Sequence, residues 1–154
     1  MYFFAKGKPK AQPRPKARRI GSFVRIYTPD TAKDWKEAVK FECYKIKENF
    51  DSSGAFICSL SFYFLRPKSH YKKSGGLVKG AKKLHIYKPD LDNLEKGVLD
   101  AITDSGQVWK DDSQIVELSS RKQWTDDPSE EGVWVTISSS SRTRIRSRHQ
   151  LKMS

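Results

Sequence analysis

Lys88-Pro89-Asp90-Leu91-Asp92-Asn93-Leu94-Glu95-Lys96 is the stretch from which the rest of this chain is read. Pro89 disfavours helix for the residue before it, so the chain arrives at Asp90 extended. Beyond it Leu94, Val98, Ala101 and Ile102 recur at helical spacing, which predicts a helix over 92–105 that Ser105-Gly106 ends. Asp92 and Glu95 have capping-box spacing, with Asp in the place of the usual Ser or Thr. Asp90 and Asp92, two residues apart where a strand-like segment meets a helix, share one side and can reach one cation. The positive end of the helix dipole favours negative charge there. Lys96 lies one turn past Asp92 on the same helix face, placed to contact a phosphate.

A second stretch, Lys110-Asp111-Asp112-Ser113-Gln114-Ile115, follows a turn over Gly106 to Lys110 and leads into a strand expected near 114–123. Between Asp90 and Glu117 stand eight acids against Lys96 and Lys110, a net charge of −6 inside a chain of net charge +12. Clustered carboxylates repel one another unless something positive sits among them, and hard oxygen ligands suit Mg²⁺ or Mn²⁺. The returning strand is therefore expected to carry Asp112 to Asp90 and Asp92, with Asp111 adjacent and assisting. A hard cation held there would lower the pKa of a water, neutralise phosphate charge and steady a leaving oxygen, which is the chemistry of phosphodiester hydrolysis. Taken singly, Asp92 reads as an N-cap and Asp111-Asp112 as a turn. An EF-hand is excluded: Leu94 is no ligand, Glu95 stands where Gly is needed, and Ala101 takes the position of the bidentate Glu.

The surrounding charge is basic, with a pI of about 9.7, and points to a polyanionic partner. Of 30 Lys and Arg residues, 21 fall in three blocks: residues 1–27, residues 66–88 and the tail from Arg142 to Lys152. The first two blocks contain no acid. Lys8, Lys10, Arg14, Lys16, Arg18 and Arg19 in the first, and Lys72, Lys73, Lys82, Lys83 and Lys88 in the second, are the expected DNA contacts. Such blocks bind phosphates through counterion release. No apolar run reaches transmembrane length and the N-terminus lacks a signal-peptide layout, so no membrane role and a cytoplasmic location are expected. Cys43 and Cys58 read as reduced core thiols.

Other elements follow from pattern. Residues 2–7 and 22–27 read as strands, and residues 8–21 between them, with three prolines, as an extended exposed arm outside any ladder. Trp35, Ala38, Val39, Cys43, Ile46 and Phe50 make the apolar stripe of a helix over 32–50. Residues 55–65 alternate as the clearest strand. Residues 66–83 form a Lys/Gly/Ser loop in which His70 and Tyr71 could stack on a base, and 84–87 a short strand with a structural His85. Residues 126–132 are an acidic turn, and 133–137 a last strand forming a hairpin with the one before it. The domain is taken as 1–137, followed by a Ser/Arg-rich, disordered tail over 138–154.

The pattern KPDLDNLEKGVLDAI…GQVWKDDSQI, with the basic GKPKAQPRPKARR and the YTPDTAKDW before the first helix, closely resembles the RusA family of Holliday-junction endonucleases of bacteria and their phages. The resemblance implies that Asp90, Asp92 and Asp112 are the essential metal-binding acids, that Lys96 is the functional lysine, and that the chain acts on four-way DNA junctions as a homodimer with Mg²⁺, for which Mn²⁺ substitutes. Asp100 belongs to the motif but lies mid-helix and reads as structural support. The expected fold is α+β, a single mixed sheet of about five short strands packed with two main helices. Two other readings stay open: a non-catalytic basic nucleic-acid-binding module, which leaves the −6 window unexplained, and a nuclease for flaps or other branched DNA.

Overall fold

The computed structural model describes residues 1–140. In chain order the elements are β1 (Tyr2–Lys6), β2 (Lys16–Ile20), β3 (Phe23–Tyr27), α1 (Lys33–Tyr44), β4 (Phe56–Leu65), α2 (Leu91–Ser105), β5 (Ile115–Thr125) and β6 (Gly132–Ser139). The fold is α+β, with two helices as expected. Its six strands divide between a mixed four-stranded sheet, ordered β1-β6-β4-β5, and a separate β2–β3 hairpin.

β4 is central because its pattern lets it be. Phe56, Cys58, Leu60, Phe62 and Phe64 alternate inward and are buried. They meet Trp35, Val39 and Cys43 of α1 and Leu94, Val98 and Ile102 of α2, with Val133, Val135 and Ile137 of β6 alongside. Both helices lie on this face, making two layers around one core. Cys43 and Cys58 are free and buried, and burial pushes their thiols up to about 11 and about 12.

The strand expected after the acidic stretch does not form a hairpin with the last one. β4 lies between them, antiparallel to β6 and parallel to β5. Parallel neighbours need a crossover, and α2 is that crossover. α2 therefore returns antiparallel along β5. Its first residue is Leu91 instead of Asp92, and Gly106, at φ +67, closes it in the left-handed region, as the Ser105-Gly106 pair predicted.

Other expectations are corrected as well. α1 stops at Tyr44, where Lys45 N–H and Ile46 N–H bond back to Glu42 and Cys43 in a tightened last turn. The chain then bends so that the Phe50 ring packs 5.9 Å from that of Phe56. Residues 84–87 form no strand: Lys122 Nζ holds the Tyr87 and Pro89 carbonyls at 2.5 and 2.7 Å, so a side chain fixes this segment in place of a ladder. The proline-rich arm is docked on α2. Gln12 N–H donates to the Asn93 carbonyl at 2.9 Å, and a Cβ at Gly97 would stand 3.4 Å from the Lys10 carbonyl, so a glycine admits the crossing. The later part of the arm does join a ladder: past the last proline, residues 16–20 form β2, which pairs with β3. In the expected tail, Ser138 and Ser139 belong to β6, and residues 141–154 lie outside the described part.

The β2–β3 hairpin packs no apolar face on the core. Ile20, Phe23, Val24, Ile26 and Tyr27 are all exposed. A two-stranded hairpin alone in water is marginally stable, and contiguous exposed apolar side chains mark a contact surface.

Candidate functional site

The start of α2 is built differently from the capping box that the spacing predicts. Asp90, at φ −71 and ψ 143, is the N-cap, and no side chain caps the helix. Asp92 falls in the first turn. Glu95 turns away to accept from the Ser120 hydroxyl on β5. Leaving Asp90 and Asp92 out of capping keeps both carboxylates available at the positive end of α2. Asp90 accepts from Lys88 Nζ at 2.8 Å. That hydrogen bond, reinforced by the charges of Lys88, Lys122 and Arg14, holds its carboxyl below the usual carboxylate range, so Asp90 is ionised at neutral pH. Lys96 is exposed one turn beyond Asp92, its Nζ 3.7 Å from Asp100 Oδ1.

Asp90 stands in a cleft of about 1410 Å³. Lys8, Lys10, Arg14 and Lys88 line the same cleft, so four of the expected DNA contacts surround one of the expected ligands. Lys16, Arg18 and Arg19 are instead on the projecting hairpin. Lys72 and Lys73 are exposed in a loop that is more ordered than its composition suggests. A Tyr71–Leu77 bridge closes it, and the Arg66 guanidinium takes the carbonyls of Lys82 and Lys83 at 2.9 and 3.3 Å. The Lys82 and Lys83 side chains remain outward. Tyr71 donates its hydroxyl to Asp126.

The second acidic stretch is at the far end of β5. Asp111 caps a short 3₁₀ turn over Asp112–Gln114, accepting from Ser113 N–H at 2.8 Å, and that bonding lowers its pKa. The capping box of this chain is here, Asp111 with Gln114. Asp111 is consequently a structural anchor, and Asp112 is left exposed beside it. Gln114 ties the turn down twice over. Its Oε1 accepts from Lys110 and Asp111 N–H at 2.8 and 3.0 Å, and its Nε2 donates to the Ser52 and Gly54 carbonyls at 2.7 and 2.8 Å. Gln114→Ala is expected to destabilise the fold by about 1–3 kcal/mol. If Asp112 acts in cleavage, the rate should fall more than that loss of folded protein accounts for, as parallel unfolding and cleavage assays would report.

Asp112 does not reach Asp90 and Asp92 within one chain. Asp90 is beside Lys122, whereas Asp112 precedes Ile115, and seven strand residues at about 3.3 Å each separate those two points by about 23 Å. Among the described residues no three His, Cys, Asp or Glu side chains group closely enough to hold a metal ion. The expected return of β5 to Asp90 fails because α2 runs antiparallel to that strand: its N-terminus meets the strand's later residues and its C-terminus leads to the strand's beginning. Asp90 and Asp92, two residues apart at the N-terminus of α2, offer the oxygen donors that a hard divalent cation takes, but among the described residues no third acid joins them.

Two residues of this region were not singled out by sequence reasoning. Lys122 holds the approach to Asp90 through the carbonyls of Tyr87 and Pro89, and its pKa is lowered by burial. Nothing in its local sequence distinguishes it from other lysines. Gln114 had a signal, the Asp-x-x-Gln spacing of a capping box.

The family model for endodeoxyribonuclease RusA matches residues 6–138. An uncharacterised protein of Bacillus subtilis (strain 168), YqaN, is 30% identical over 128 residues, which cover 82% of this chain and 89% of that protein. The matched residues span both acidic stretches, the basic cleft, both helices, β2 to β5 and all but the last residue of β6, and so the chain belongs to the RusA family of endodeoxyribonucleases.

Proposed function

We propose that the protein is a divalent-metal-dependent endonuclease that resolves four-way DNA junctions by paired phosphodiester cleavage. The observation that carries this is an ionised aspartate, Asp90, set among Lys8, Lys10, Arg14 and Lys88 in one cleft. Four cations suit a phosphate backbone, and an anion among them suits a cation that the backbone would bring or meet. A binding module alone has no use for that carboxylate.

Asp90 and Asp92 would hold Mg²⁺ or Mn²⁺, with Asp112 supplied by a second copy. When bound, the ion would activate a water and neutralise developing charge on the phosphate. Lys88 pairs with Asp90 and lowers its pKa further. Lys96 would stabilise phosphate charge from the adjacent face of α2, and the cleft lysines with Arg14 would seat the strand.

A two-fold homodimer has two physical reasons. The separation of Asp112 from the α2 pair leaves each chain with an incomplete ligand set. Val24 and Ile26, bare on one face of the β2–β3 hairpin, need cover, which a second copy gives. Cross-strand pairing sorts the hairpin into two faces, Ala17, Arg19, Val24 and Ile26 on one, and Lys16, Arg18, Arg25 and their aliphatic and aromatic neighbours on the other. The first suits the second copy and the second suits DNA. Such a dimer presents two sites related by symmetry, as paired incision requires.

The test is a synthetic four-way junction with purified protein. Mg²⁺ should give symmetrical incision and chelation should abolish it while binding persists. Asp90→Asn should bind normally and cut more than about a hundredfold more slowly, since even outer partners of a catalytic metal are worth that much. Cutting by Asp90→Asn at the native rate would refute the assignment. Flaps and three-way branches run beside the junction decide the substrate.

A further inference from the structure

The cleft that holds Asp90 has a second wall that the cleavage reading does not use. His85 is 5% exposed and stacks on Trp124, ring centroids 4.0 Å apart and planes 25° from parallel. Phe64 backs His85 at 4.5 Å. Tyr87 and His70 stand in front of Trp124 at 6.3 and 5.5 Å, and Tyr87 is 46% exposed. The Arg66 guanidinium lies 5.3 Å from the Trp124 ring, fixed there by the Lys82 and Lys83 carbonyls. A five-ring cluster with a stacked arginine is assembled at the surface, beside the backbone that leads into Asp90.

Core packing accounts for Phe64 and Trp124 but not for the outer rings. The hydrophobic core is complete without His70 and Tyr87, which are outside it. The cluster also leaves polar atoms unsatisfied: neither His85 Nδ1 nor Trp124 Nε1 has a hydrogen-bond partner, although both are buried. Buried unpaired groups of this kind cost stability and call for a reason. Burial and the nearby charge of Lys122 lower the pKa of His85, so at neutral pH it is an uncharged flat ring. The volume, about 1410 Å³, exceeds the roughly 300–1,000 Å³ of ordinary small-molecule pockets. The cleft is therefore sized for a length of chain, with cations for its backbone on one side and rings for its bases on the other.

We propose that this aromatic wall binds an unpaired nucleobase of the DNA, stacked on Tyr87 and held beside the phosphate that faces Asp90. This rests on the reading of the cleft as a DNA site, and deepens it. Stacking is available to every base, because each has a π-face, but only when the base has left its own helix. A bulge offers such a base outright and a branch point, where stacking is interrupted, gives one up at least cost; a continuous duplex does neither. The wall would accordingly select branched over paired DNA at the binding step, before any bond is cut.

The experiment measures binding in metal-free buffer, so that cleavage plays no part. Fluorescence anisotropy would compare a paired duplex, the same duplex with one bulged thymine, and a four-way junction. Tyr87→Ala removes an exposed ring whose backbone carbonyl stays held by Lys122. It should weaken the bulged and junction complexes about tenfold, the worth of one base–aromatic stack, and leave the duplex complex little changed. Tyr87→Phe, which keeps the ring, should bind like the native protein. Equal loss on all three DNAs, no loss on any, or the same loss with Tyr87→Phe would each overturn the proposal. If native protein binds none of the three, the DNA reading of the cleft falls, and this proposal falls with it. Cleavage that depends on Mg²⁺ but ignores Tyr87 would leave the nuclease reading standing and remove only this one.

Discussion

Mixing equal amounts of the Asp90→Asn and Asp112→Asn proteins, each inactive alone, is expected to recover about a quarter of the native active sites. The figure follows from the two-fold symmetry of the proposed dimer. Random exchange makes about half the dimers mixed. In a mixed dimer one site receives Asp90 and Asp92 from the Asp112→Asn chain and Asp112 from its partner, and is whole. The other site carries both substitutions. Recovered activity should therefore nick one strand of a junction instead of cutting two, which denaturing gels with the two strands labelled separately would distinguish. The prediction rests on the separation of about 23 Å along β5 between the positions that flank Asp90 and Asp112. Were the three acids gathered within one chain, each mixed dimer would hold two broken sites, and no incision would return. Co-expression followed by tandem purification would guarantee that mixed dimers form before that negative result is accepted.

Trp109→Ala is expected to destabilise the protein by about 3–5 kcal/mol, the usual loss for a buried Trp truncated in a core. At this chain length that lowers the unfolding temperature by about 10 °C. Trp109 is 1% exposed, meets the edge of Phe56 at 5.5 Å, and donates its indole N–H to the Thr103 hydroxyl at 2.8 Å. Its place in the chain gives the loss a second consequence. Trp109 is the last core residue before Lys110, so it pins the end of the α2 crossover directly ahead of Asp111 and Asp112. Trp109→Phe should recover most of the stability but not the bond to Thr103. Calorimetry on the three proteins measures the stability, and junction cleavage well below each unfolding temperature tests whether loosening this anchor displaces Asp112.

Much of the local structure was legible because short-range physics decides it. Alternation at 56–64 made β4, a period near 3.6 from Leu94 to Ile102 made α2, and Ser105-Gly106 ended it. The acidic pair at the start of α2 was legible for the same reason: Pro89 and the helix dipole act within a few residues. The family pattern was legible as well, since its two stretches are contiguous in sequence. The helix over 32–50 was read too long because Ile46 and Phe50 keep the apolar spacing although the chain has left the helix, and spacing alone does not distinguish a residue that packs from a turn from one that packs from a helix.

The amino-acid sequence by itself determined which residues carry charge and which segments bury a face. Only the tertiary structure decided where those acids stand. Strand order rests on pairings between residues far apart in the chain. β5 is parallel to β4, with α2 as the link, and that one choice sends Asp112 to the opposite end of the sheet from Asp90. It also brings Trp124 under His85 and Lys122 under Tyr87 and Pro89, contacts that no periodicity encodes, because they depend on the inward face of an edge strand reaching past the helix that covers it.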